Sequence, residues 1–189
     1  MEAKNLKCPE GPTVEFMEQV RMRLLDWMVD DAYTAEANSA FVGALILGVC
    51  ALDVLAGLYR GVVREVKNES FRLFITRYLP HHDEYLNHNV WKHMRNSLVH
   101  AYSTKGFKYT NEYPDRHLQK DEDGLLWIHV KSFVAEVDKA AKDYINDLPN
   151  DPALWENFKK KWARDPLLGP ITDSGSEPPR TDWKRTEGL

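Results

Sequence analysis

Four residues separate Arg95 from His100, and Asn96 directly follows the arginine. A histidine titrates near neutrality and can take or give a proton, whereas a guanidinium stays charged and grips phosphate through paired donors. Together they supply what cleavage of RNA without a metal requires. One group must take the proton of the ribose 2′-hydroxyl, another must stabilise charge on the phosphoryl oxygens, and a proton must reach the leaving oxygen. Acid–base assistance of this kind contributes about 10²- to 10⁴-fold. Attack by the ribose would leave a 2′,3′-cyclic phosphate and a 5′-hydroxyl. The spacing by itself says little, because Arg77 and His82 repeat it with Pro80 between them.

Geometry restricts the site further. Five positions along an α-helix turn a side chain by about 140°, so Arg95 and His100 are not stacked, whereas Asn96 and His100 share a face. His93 joins that stripe and is an auxiliary candidate, set against its plainer role as a solvated surface histidine. Asn96 either orients His100 or phosphate through a hydrogen bond, or is a surface amide. Ser97 is read as a helix residue, not a nucleophile.

Asp53 is the second auxiliary candidate. A carboxylate alone in an apolar helix must find donors or become neutral. It can bond an arginine, a tyrosine or a backbone amide inside the fold, or stand beside Arg95 or His100. Arg60, Arg64, Lys67, Arg72 and Arg77 form a basic stretch diluted by Glu65 and Glu69. A solvated face explains it better than a track for RNA.

His81, His82, Asp83, Glu84, His88, His93 and His100 crowd one region, but no HExxH or CxxC accompanies them, so no metal is expected. Serine-hydrolase, P-loop and dinucleotide fingerprints are absent as well, and no cofactor is expected.

The elements that must hold these residues are mostly helices. Thr13 can cap a helix reaching about Asp31, with Val14, Met17, Val20, Leu24, Trp27 and Met28 at helical spacing. Asn38 or Ser39 opens a second, apolar helix to about Arg60, with a break at Gly61. A third covers Phe71 to Leu79, stopped by Pro80. The fourth, Asp83 to about Tyr102, would carry the motif, with Tyr85, Leu86, Val90, Trp91, Met94, Leu98 and Val99 as its inner stripe. Phe107–Thr110 and Leu125–Val130 are β-prone, and the turn signal Asp121-Glu122-Asp123-Gly124 between them predicts a hairpin. A fifth helix runs from Ser132 to Leu148, and Asp151-Pro152 opens a last short one through Trp162. The expected fold is mainly α: an antiparallel helical bundle with a small β-hairpin insert after the fourth helix.

Arg95-Asn96-Ser97-Leu98-Val99-His100 resembles the Arg-x(4–6)-His motif of HEPN domains, in which Asn, Asp or His often follows the Arg. The apolar segment Ala51-Leu52-Asp53-Val54-Leu55-Ala56-Gly57-Leu58 is similar to the corresponding helix of some HEPN families. The resemblance spans roughly Val14 to Trp162, strongest in these two helices. It implies a homodimer in which two motif helices face each other across a cleft and pool two Arg and two His, as a twofold axis allows. It also implies an endoribonuclease with Arg95, Asn96 and His100 as catalytic residues, in a toxin–antitoxin or defence setting with an antitoxin such as a small nucleotidyltransferase as partner. The alternative is a non-catalytic HEPN-like scaffold, or a nucleotide- or RNA-binding partner protein. On this reading residues 1–168 form the domain and 169–189, rich in Pro, Gly, Ser and charge, a tail.

Composition sets the outer limits. The chain has 189 residues, a 43% hydrophobic share and a formal net charge of −4, which suits one core and argues against coating nucleic acid by bulk positive charge. Cys8 and Cys50 suggest no disulfide framework. The first ten residues lack a signal-like apolar core, so the cytoplasm is the expected location. Phe41 to Leu58 approaches the length of a membrane span, but a mid-span Asp costs about 2.5 to 3.5 kcal/mol on insertion scales. A helix surrounded by other helices is the preferred reading.

Overall fold

The computed structural model describes residues 8–62, 68–88, 90–95, 98 and 106–164. The expected tail lies outside this set, as do Asn96, Ser97, Val99 and His100 of the motif.

The chain is mainly helical. α1 (Val14–Arg21) runs through a π-helical stretch (Met22–Val29) into α2 (Asp30–Ala37), so the first helical run extends past Asp31. The Phe16 N–H donates to Thr13 Oγ1 at 3.3 Å, the expected cap. Neither Asn38 nor Ser39 caps the next helix: Asn38 Nδ2 donates to the Thr34 carbonyl at 2.8 Å and closes α2, and the following helix starts after Ala40 with no side-chain cap.

α3 (Phe41–Arg60) is the helix about which the others are arranged; Leu45, Val49, Leu52, Leu55 and Leu58 are buried along it. By length and composition it passes for a membrane span, yet α2 and the helices Asn68–Tyr78, Val130–Asp147 and Pro152–Arg164 all pack on it. Its end follows from Gly61, whose left-handed φ of 63° lets Gly61 N–H reach the Leu58 carbonyl and Val62 N–H reach the Gly57 carbonyl. That pair of bonds is a Schellman cap.

α4 (Asn68–Tyr78) contributes Phe71, Phe74, Ile75 and Tyr78 to the core and stops before Pro80. α7 (Val130–Asp147) faces α3 and α4 with Phe133, Val134, Val137, Ala141 and Tyr144. α8 (Pro152–Arg164) begins where Asp151 Oδ1 accepts the N–H groups of Ala153 and Leu154. Phe16 meets Trp155, Phe158 and Trp162 edge-on, at centroid distances of 5.2 to 6.1 Å. Arg23, buried in the same region, lies 5.1 Å from the Trp162 ring centre.

Two further expectations fail. The fourth helix is not continuous: α5 (His82–Asn87) ends at His88, and α6 (Val90–Met94) starts again two residues later. The two strands do not form a hairpin. β1 (Phe107–Thr110) and β2 (Leu126–His129) pair in parallel, with Phe107 opposite Leu126 and Thr110 opposite His129. The turn at Asp121–Gly124 does reverse the chain, but the segment it folds onto β2 is Leu118–Lys120. Leu118 N–H donates to the Trp127 carbonyl and Trp127 N–H to the Gln119 carbonyl, both at 2.8 Å, beside an antiparallel bridge from Lys120 to Leu126. β1 therefore takes the other edge of β2, reached by a crossover of the length that parallel pairing needs. That crossover includes a 3₁₀ turn at Pro114–Arg116.

Candidate functional site at Asp53 and Arg95

α6 is held to the core by Val90 and Met94, and Leu98 beyond it is equally buried. Arg95 lies between these anchors and turns to α3, where its Nε stands 3.1 Å from Asp53 Oδ2. Both side chains keep about a quarter of their surface, 27% for Arg95 and 25% for Asp53. The pair is therefore neither sealed in the core nor fully in water. Arg95 and Leu98 have π-helical rather than α-helical backbone geometry, a conformation that recurs at functional sites.

Of the expected site residues, Arg95 and Asp53 come together. The isolated carboxylate of the apolar helix finds a guanidinium, one of the partners its chemistry demanded. Asn96 and His100 lie outside the described residues. His93 is exposed and lies elsewhere: its ring covers Gly106, where an added methyl would come within 2.9 Å of Nδ1. Two positions along α6 separate it from Arg95 and turn it toward the start of β1.

Cys50, one helical turn before Asp53 on α3, is a neighbour that spacing did not single out. Burial raises its thiol pKa above the ordinary value, the Asp53 carboxylate adds to the rise, and Arg95 opposes it. The thiol is thus held protonated beside the ion pair. Its position, i−3 from Asp53 on an apolar helix, was the available signal.

Two described members of the basic stretch pair with carboxylates. Arg60 lies 3.9 Å from Glu69, and Arg77 contacts Asp147 at 3.0 Å and Asp151 at 3.5 Å. Arg64 and Lys67 lie outside the described residues. Among the described residues no three His, Cys, Asp or Glu side chains converge on a metal-sized point.

What the site offers chemically is a permanently charged, partly exposed guanidinium whose direction is set by a carboxylate from another helix. No family model matches the chain, and neither a curated protein nor a solved structure matches it closely enough to indicate a relationship.

Proposed function

We propose that this protein is a metal-independent endoribonuclease of the HEPN type. Arg95 stabilises charge on the phosphoryl group, His100 moves protons, and Asn96 orients the histidine or the phosphate. Asp53 is a positioning residue: its contact with Nε fixes the plane of the guanidinium. The observation that carries this reading is the Asp53–Arg95 pair, which joins the two segments of the HEPN resemblance and keeps surface on both side chains. An arginine serving only to neutralise a core carboxylate would gain nothing from that exposure.

The rest of the proposal follows from the same resemblance. The helices around α3 act as an antiparallel bundle, and two copies form a homodimer whose motif segments share one cleft. The substrate is RNA, the protein acts in the cytoplasm, and an antitoxin restrains it in a toxin–antitoxin or defence setting.

A second reading has its own support. Because Asp53 already occupies Arg95, the pair could serve a non-catalytic scaffold of the same fold. Labelled RNA incubated in EDTA separates the two. Cleavage by the wild type to 2′,3′-cyclic phosphate ends, lost in His100→Ala and Arg95→Ala, supports the nuclease. No cleavage, cleavage abolished by EDTA, or an unaffected His100→Ala overturns it.

A further inference from the structure

A second polar centre lies where α5, the crossover and α7 meet, away from the Asp53–Arg95 pair. Tyr85 Oη donates to Glu136 Oε2 at 2.6 Å, and His117 Nε2 lies 3.3 Å from Glu136 Oε1 and 3.3 Å from Tyr85 Oη. The His129 backbone N–H donates to His117 Nδ1 at 3.1 Å. Nδ1 is therefore an acceptor, and the ring N–H lies on Nε2, within reach of Tyr85 Oη. Tyr85 Oη thus donates to the Glu136 carboxylate and can accept the His117 Nε2 proton. This network closes one wall of a cleft of about 440 Å³ whose other lining includes His81, Glu84, Gln119 and Ser132.

The balance of charge in this cleft is one-sided. Two carboxylates face it, from Glu84 and Glu136, and among the described residues no lysine or arginine lines it. Tyr85 orients the Glu136 carboxylate through its donated hydrogen bond, and burial keeps the phenol protonated. Gln119 and Ser132 add oxygen acceptors, since the Ser132 hydroxyl can direct its proton to His129 Nδ1 at 2.8 Å. Such a site repels phosphate and carboxylate groups and rewards a positive group rich in N–H donors. Its volume is at the small end of ligand pockets, enough for a compact molecule.

We propose that this cleft binds a small organic cation through a guanidinium or primary ammonium head, with the partly buried Glu136 as the anchor and the exposed Glu84 beside it. The site is independent of the nuclease reading, and His100→Ala should bind the same ligand as the wild type.

Agmatine, which carries both head groups, is the probe. Calorimetric titration of the full chain should show saturable binding at one site, with the amide resonances of His117, Ser132 and Glu136 shifting in parallel. Tetramethylammonium, a cation without N–H donors, and inorganic phosphate should not bind. Glu136→Gln should weaken agmatine by about tenfold or more, the effect of losing a charge-assisted hydrogen bond. Glu84→Gln, an exposed position that folding does not require, should weaken it measurably and serves if the Glu136 variant fails to fold. Absent saturation, resonance shifts centred elsewhere, affinity unchanged in Glu84→Gln, or phosphate binding in the cleft would each overturn the proposal.

Discussion

Asp53 reaches Arg95 across the interface of α3 and α6, Oδ2 to Nε at 3.1 Å, and this contact ties the apolar central helix to the segment that carries the motif. With a quarter of each side chain in solvent, the pair lies between the exposed ion pairs that contribute about 0.2 to 1 kcal/mol and the buried ones that cost far more to break. A double-mutant cycle of Asp53→Asn and Arg95→Ala, followed by urea unfolding, should give a coupling of about 1 kcal/mol. Additivity within about 0.3 kcal/mol would mean that the contact has no energetic weight.

Two glycines of α3 are expected to respond to alanine with opposite signs. A methyl on Gly43 would meet its nearest neighbours at 3.8 and 4.0 Å, ordinary contact, so Gly43→Ala should stabilise the protein by about 0.5 to 1 kcal/mol through helix propensity. A methyl on Gly48 would come within 2.6 Å of Phe133 Cε1, on a ring buried in the core. Overpacking costs about 1 to 3 kcal/mol and outweighs the same propensity gain, so Gly48→Ala should lower the thermal midpoint. Phe133→Leu in the Gly48→Ala background should recover part of the loss. A stabilising Gly48→Ala would show that the ring has room to move.

Cys50 reports on the ion pair. Because burial and then Asp53 raise its pKa, less thiolate is present at a given pH, and alkylation at pH 8 should be slower than for a free thiol. The rate should climb as pH rises past the ordinary thiol range. Asp53→Asn removes one cause of the rise and should speed the reaction, whereas Arg95→Ala should slow it. Cys8, pushed up to about 11 mainly by burial, should react slowly as well and remain indifferent to both changes. Mass spectrometry of each cysteine during a timed reaction checks this, and a Cys50 rate unchanged in Asp53→Asn would refute it.

Helical periodicity made most of this fold readable, because a stripe of apolar residues buries the same face whichever neighbour covers it. The stops at Pro80 and Gly61 were equally plain, since each is a local property of one residue. Pairings between distant segments were not. Asp121–Gly124 announces a reversal, but Leu118–Lys120, the short segment that reverses, carries no strand signature of its own, so the sequence predicts a hairpin of β1 and β2 where the two pair in parallel. For the candidate site, the isolation of Asp53 showed that it needed a donor, while its choice of Arg95 depends on how α6 packs. The Tyr85, His117 and Glu136 network is spread over three elements, and no spacing in the sequence joins them.

Three buried tyrosines should make the protein sensitive to alkali. Burial raises the pKa of Tyr78, Tyr85 and Tyr144 above the usual phenol value, with Asp147 adding to the rise at Tyr78 and Glu136 at Tyr85. The unfolded chain therefore releases these protons first. Their contribution to stability is complete below the ordinary tyrosine pKa near 10 and is lost as pH rises from there toward the folded values. Each such tyrosine should add a slope of about 1.4 kcal/mol per pH unit in that window. Tyr144 is the informative one to change. Its Oη has no hydrogen-bond partner among the described residues, so Tyr144→Phe removes a hydroxyl that is costly to bury and should be neutral or stabilising by about 1 kcal/mol near pH 7. The same change should flatten the alkaline decline by one tyrosine's share. Urea unfolding at pH 7, 10 and 11 tests both effects together, and a Tyr144→Phe protein that is less stable at neutral pH with an unchanged alkaline slope would show that the hydroxyl has a partner and does not titrate on unfolding.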